Sequence, residues 1–246
     1  MSGITKSSIF VLILLMASSL LPLVNASLLP EDDNFEPKHE GIDFPIGWSD
    51  INIGFGPNSQ GFEIIYPAMN GGEDDEMAGN GPFPWILFFG SDGEAKDGYM
   101  ELTSEIVKRG YIVLVTQEMQ NSNDLSEGIE IAQAALELVE DTNNSHSVIL
   151  GGFGNVDVNH WALAGHGVGA MTATSLYPYW LASDSGNTTH GPSGLFAVGA
   201  DFSSWNQQFG TFSSTDWQAP VPNTGLFITG TTDEVAPAQD AITRLH

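Results

Sequence analysis

The feature that most restricts the fold of this chain is a series of short, uninterrupted apolar segments separated by helical patterns. Residues 85–89 (WILFF), 111–115 (YIVLV), 161–164 (WALA), 195–198 (LFAV) and 226–229 (LFIT) each run apolar without alternation. Runs of that length and kind fit strands buried on both faces. After the first run, Tyr99, Leu102 and Ile106 recur at helical spacing. Asp97 is expected to cap that helix, with Lys108 and Arg109 in its last turn and Gly110 just beyond it. Residues 124–140 place Leu125, Ile129, Ala132, Leu136 and Val139 on one helical face, and residues 168–176 have the composition of a further helix. Strands alternating with helices imply parallel pairing through crossovers. The expected fold class is therefore α/β, with a mostly parallel central sheet and helices on both faces.

The rest of the chain is less regular. Residues 50–55 and 61–66 flank the turn residues Gly56, Pro57 and Asn58 and read as an antiparallel edge pair. Residues 69–84 are rich in Gly, Asp, Glu and Pro and lack the ligand spacing of a calcium loop, so a solvated loop is expected. A last helix is expected from about Pro237, and there are no internal repeats.

The N-terminus carries its own signal. Residues 1–26 combine Lys6, an apolar stretch from Ile9 to Val24 and the small-residue end Val24-Asn25-Ala26, the pattern of a cleaved signal peptide. The stretch is broken by Ser18, Ser19 and Pro22 and falls short of the ~20 apolar residues of a spanning helix. Residues 27–48, acidic and punctuated by Pro30, Pro37 and Pro45, read as a flexible lead-in, and residues 49–246 as one domain. The expected location is secreted, without stable membrane insertion after cleavage. With no cysteine, neither a disulfide framework nor a lipid-modified cysteine is available. Six basic against 31 acidic residues give a net charge of −25, which excludes nucleic acid as a natural partner and suits saline surroundings. Asn143 and Asn187 head glycosylation sequons.

The segment 161–170, WALAGHGVGA, has the order of apolar strand, glycine-rich turn and helix. A strand, G-x-S-x-G and a helix make the nucleophile elbow, whose turn presents a hydroxyl above the sheet and frees the next N–H for an oxyanion. In the order GPFPWILFFGSDG (81–93), RGYIVLVTQ (109–117), GHGVGA (165–170) and LFITGTTDEVAP (226–237), the chain resembles the α/β-hydrolase superfamily. Within it, the G-H-x-x-G form resembles secreted cutinase-like polyester hydrolases, chlorophyllase and dienelactone-hydrolase-type esterases. The resemblance covers roughly residues 60–240.

The resemblance places Gly167 at the nucleophile position, Asp233 at the triad acid, the N–H groups of Val168 and Ser91 at the oxyanion hole, and Gly165, His166 and Gly169 in the elbow. His166 is expected to pack and hydrogen-bond rather than catalyse. The triad histidine has no counterpart: the chain ends thirteen residues after Asp233, and His246 falls inside the expected last helix. A reading frame continuing past His246 would supply the last strand and the histidine loop. His39, His146, His160 and His190 show no zinc-ligand spacing, and no cofactor is implied. The function so implied is an exported non-catalytic hydrolase relative that keeps a pocket for a small or ester-like ligand. The alternative is an active carboxylic ester hydrolase of lipase or cutinase type, using another serine such as Ser91, Ser203 or Ser204, or completed by residues beyond His246.

Overall fold

In the computed structural model the described residues are 43–53, 60–91, 96–116, 125–144, 155–182, 191–199 and 225–228, all within the unit Gly41–His246. They form one sheet: β1 (Ile46–Ile53), β2 (Gln60–Pro67), β3 (Gly72–Glu73), β4 (Phe83–Phe89), β5 (Ile112–Thr116), β6 (Val156–His166), β7 (Gly194–Val198) and β8 (Gly225–Ile228). The order across the sheet is β3-β1-β2-β5-β4-β6-β7-β8. From β5 to β8 every neighbour is parallel, and β2 runs antiparallel to both β1 and β5. The mostly parallel sheet expected from the apolar runs is what the chain forms, and it is open.

Period-two side-chain geometry divides the core into two layers. On one side Phe62, Ile64, Trp85, Leu87, Leu114 and Leu163 pack under α2 (Leu125–Asn144) and α3 (Val168–Ala182), through Ile131, Leu136, Ala173 and Leu176 among others. On the other, Ile65, Phe88, Val113 and Val115 pack with Tyr99 and Val107, which belong to a 3-10 turn (Lys96–Tyr99) and the helix that follows, α1 (Met100–Val107). Both faces are thus covered by helix. Because β4 and β5 face apolar layers on both sides, their runs carry no polar alternation, which is why they are readable as buried strands. Trp85 and Trp161, neighbours across β4 and β6, stack with centroids 4.8 Å apart and planes 4° from parallel.

Several expectations about boundaries need correction. The strand expected from residue 50 begins at Ile46, so the end of the supposed flexible lead-in is structured. Phe44 is buried against Phe83, and Gly47 lies so close to the Tyr66 ring that a Cβ there would come within 2.6 Å of it. Asp97 does not cap a helix: it lies in the 3-10 turn, and Tyr99 holds the cap position without a side-chain bond. Residues 69–84 are not simply a solvated loop. β3 pairs with β1, Met77 and Ala78 are buried, and Asp75 accepts the N–H groups of Asn70 and Gly71, which hold its carboxyl below the usual range. The pair β1–β2 is antiparallel as expected but is flanked on both sides, by β3 and β5. β6 starts five residues before its apolar run, because the polar residues Asp157, Asn159 and His160 break the apolar pattern there, where the pairing with β4 shifts register.

Candidate functional site

Strand β4 is where the sheet changes direction. The chain leaves β4 through α1 to reach β5 on one side, then returns through α2 to β6 on the other. Since α1 and α2 lie on opposite faces, the carboxyl ends of β4 and β6 flank a topological switch point, the place where open α/β sheets leave a crevice for ligands. Two segments meet there: Gly90-Ser91, after β4, and His166-Gly167-Val168, where β6 ends and α3 begins.

The β6–α3 turn is built from glycine because side chains would not fit. A Cβ at Gly165 would run into the backbone of Gly169 and come within 2.6 Å of the Ala170 nitrogen, and a Cβ at Gly169 would collide with the carbonyls of Phe89 and Gly90. Strand, turn and helix can approach this closely only without those atoms. Gly167 has a φ of +57°, left-handed backbone that a residue with a Cβ adopts at a cost of order 1–3 kcal/mol. Its N–H donates to the Val198 carbonyl of β7 at 2.8 Å, and its own carbonyl accepts the Met171 N–H at 3.3 Å to open the helix. The turn is therefore tied to both the sheet and α3.

Tyr99 joins the two segments. Its hydroxyl accepts the Ser91 N–H at 2.7 Å and lies 3.2 Å from His166 Nδ1, with the direction of the second bond following the imidazole tautomer. The phenol ring leans on Phe88 at 4.8 Å and meets the His166 ring edge-on at 5.9 Å. Tyr99 is buried, whereas Ser91, His166, Gly167 and Val168 remain partly open to solvent. The Ser91 hydroxyl stands over the turn: an atom built as Cβ on Gly167 would lie 2.5 Å from Ser91 Oγ.

Of the residues singled out from the sequence, Ser91, Gly165, His166, Gly167, Val168 and Gly169 come together here. Val168 occupies the first helical position of α3, where the helix itself offers its N–H no acceptor. The Ser91 N–H, by contrast, is already bonded to Tyr99. Asp233, Ser203, Ser204, His39, His146, His190 and His246 lie outside the described residues, as do residues 1–26. His160 is in β6, exposed, with Nδ1 2.8 Å from Asp157. Tyr99 is a site residue that the sequence does not reveal, because its place in an apolar helical pattern explains it equally well as packing and nothing in the local sequence marks the hydroxyl. Acyl transfer through a covalent intermediate needs a nucleophile beside a base, and the crest of this turn offers a hydrogen atom in the place of a side chain. What the arrangement does offer is a helix N-terminus with a hydroxyl beside it, which can receive an acceptor oxygen.

No protein-family model and no curated protein matches the chain. Among solved structures it is similar to a protein of Agrobacterium vitis S4 described as a hydrolase, at 17% identity and a TM-score of 0.41, over 65% of this chain and 55% of that one. It is also similar to the thioesterase domain from the curacin biosynthetic pathway, at 14% identity and a TM-score of 0.40, over 63% and 45%. A third is ferulic acid esterase from Streptomyces cinnamoneus, at 13% identity and a TM-score of 0.49, over 76% and 73%. The chain thus spans about half the length of the first two.

Proposed function

We propose that this chain is an exported α/β-hydrolase-like protein that has lost serine hydrolase activity and binds a small, ester-like ligand above the β6–α3 turn. One observation carries the reading: the residue at the crest of that turn, at the switch point of the sheet, is Gly167 with a φ of +57°. A serine replaced by glycine there removes the nucleophile and relieves backbone strain at once, while the helix N-terminus that would hold an oxyanion is kept. The G-H-x-x-G turn and the segments before and after it support descent from esterases of the cutinase-like, chlorophyllase and dienelactone-hydrolase kind. Export rests on residues 1–26, and salt adaptation on the net charge of −25.

The test is direct. Protein purified from the medium of a secreting host should begin near residue 27 by N-terminal sequencing, hydrolyse p-nitrophenyl esters of short to long chain no faster than buffer, and take no label from a fluorophosphonate probe. Saturable hydrolysis with covalent labelling would replace this reading by that of an active carboxylic ester hydrolase with a nucleophile other than the elbow residue.

A further inference from the structure

The space above the elbow is not left empty by the missing side chain. Ser91 Oγ lies 2.5 Å, and Ser91 Cβ 3.2 Å, from the position of a Cβ on Gly167. A hydroxyl attached to such a Cβ would be about one bond length further out, so the Ser91 hydroxyl stands in the immediate neighbourhood of the place an elbow serine would offer its own. We propose that Ser91 substitutes for the elbow side chain: its hydroxyl is the polar group that stands over the turn, in a place it would have to leave for a side chain at position 167.

Three features hold Ser91 in that place. Its N–H is anchored on the Tyr99 hydroxyl at 2.7 Å, and Tyr99 is itself clamped between Phe88 and His166. The preceding Gly90 is seated against the Tyr99 ring, whose Cε2 would lie 3.1 Å from a Cβ there. The Gly90 N–H faces Thr116 Oγ1 across the parallel pair β4–β5 at 3.5 Å. Backbone and anchor together leave the Ser91 side chain directed at the turn, and the matching absence of an atom at Gly167 makes room for it. Two features favour glycine at position 167, its left-handed backbone and the Ser91 hydroxyl beside it. The second is what distinguishes the proposal from simple loss of a nucleophile.

A hydroxyl in this position beside the Val168 N–H gives an incoming neutral carbonyl oxygen two donors of different origin, one side chain and one helix N-terminus. The ligand class that such a pair of uncharged donors suits is a neutral ester or amide carbonyl. This ligand half of the inference rests on the binding function proposed above.

A stability cycle tests the pair without any ligand. Gly167→Ala, Ser91→Ala and the double variant are compared with the unchanged protein by thermal unfolding. Gly167→Ala introduces backbone strain in both backgrounds but meets the Ser91 hydroxyl only where Ser91 is kept. It should therefore lower Tm by several degrees more in the unchanged protein than in the Ser91→Ala background. Additive shifts would show that the hydroxyl rotates away freely and would overturn the pair. Binding of ethyl butyrate, followed by ligand-observed NMR, should weaken roughly three- to tenfold in Ser91→Ala, the loss of one hydrogen bond. Equal binding by the two proteins would overturn the role of Ser91 toward ligand. If the unchanged protein does not bind ethyl butyrate at all, the binding function itself fails, and the stability cycle alone decides whether Ser91 and a side chain at position 167 exclude one another.

Discussion

Glu63 is the most conspicuous single residue away from the turn. It lies in β2 between Asp50 of β1 and Val115 of β5, is 6% exposed, and its Oε2 has no hydrogen-bond partner among the described residues. Burial, and secondarily repulsion from Asp97, pushes its carboxyl above the ordinary value of 4.5. A raised carboxyl favours folding only while it is protonated. The contribution is complete below the ordinary value and is lost as pH rises through the higher, folded-state value. Glu63→Gln keeps the shape and removes the ionisation. The variant should match the parent at acid pH near 4 and exceed it by about 1 kcal/mol near neutrality, the order expected when a buried charge without a partner is relieved. Thermal unfolding across that range checks this, and parallel pH profiles for the two proteins would count against it. Neither Glu63 nor Tyr99 is identifiable from the sequence. A lone acid between apolar strand residues and a tyrosine on an apolar helix face look the same whether their polar atoms are satisfied or not.

At the scale of elements, the contact that sets the approach of α2 to α3 is made by Gly128. A Cβ there would come within 2.7 Å of Thr172 Cγ2, on a helix whose residues Thr172 and Leu176 face α2. Gly128→Ala should gain up to about 1 kcal/mol of helix propensity but lose roughly 1–3 kcal/mol to overpacking, for a net loss. Adding Thr172→Ser removes the offending methyl and keeps the hydroxyl that donates to the Val168 carbonyl, so most of the loss should be recovered. Urea unfolding of the single and double variants measures both terms. Legibility differs from element to element for a related reason. β4, β5, β7 and the end of β6 are sandwiched between helical layers and are visible as apolar runs, whereas β3 is only two residues long and is not. The start of β6 is hidden by exposed Asn159 and His160, and the start of β1 by Pro45, which reads as linker but also suits the residue just before a strand. The glycine pattern of the β6–α3 turn is legible because steric exclusion at Gly165 and Gly169 leaves no other residue type, while the meeting of Ser91 with Gly167, expected only from the family resemblance, depends on a strand pairing that no local pattern encodes.

For the molecule as a whole, the sheet order explains why chemistry-bearing segments distant in sequence converge, and the charge explains the conditions under which they can do so stably. With 31 acidic and six basic residues, few carboxylates can find a cationic partner. The pair Lys108–Glu105 is on the surface, with side chains 35% and 42% exposed, and such pairs contribute at most about 1 kcal/mol. Repulsion among the remaining acids is thus a standing cost of compaction, reduced only by ions in solution. Screening shortens from about 10 Å at 0.1 M salt to about 3 Å at 1 M, so most of the relief should arrive by roughly 0.5 M. Tm should therefore rise by about 5 °C or more over that interval and then flatten, equally for chloride salts of sodium and potassium. A rise that stays linear to molar salt and is much steeper with sulfate would instead report enhanced burial of apolar surface, because exclusion of such ions from the protein surface does not saturate with the Debye length. A Tm independent of salt would mean that the acids are spaced widely enough not to sense one another, and the charge would then have no bearing on where this protein folds.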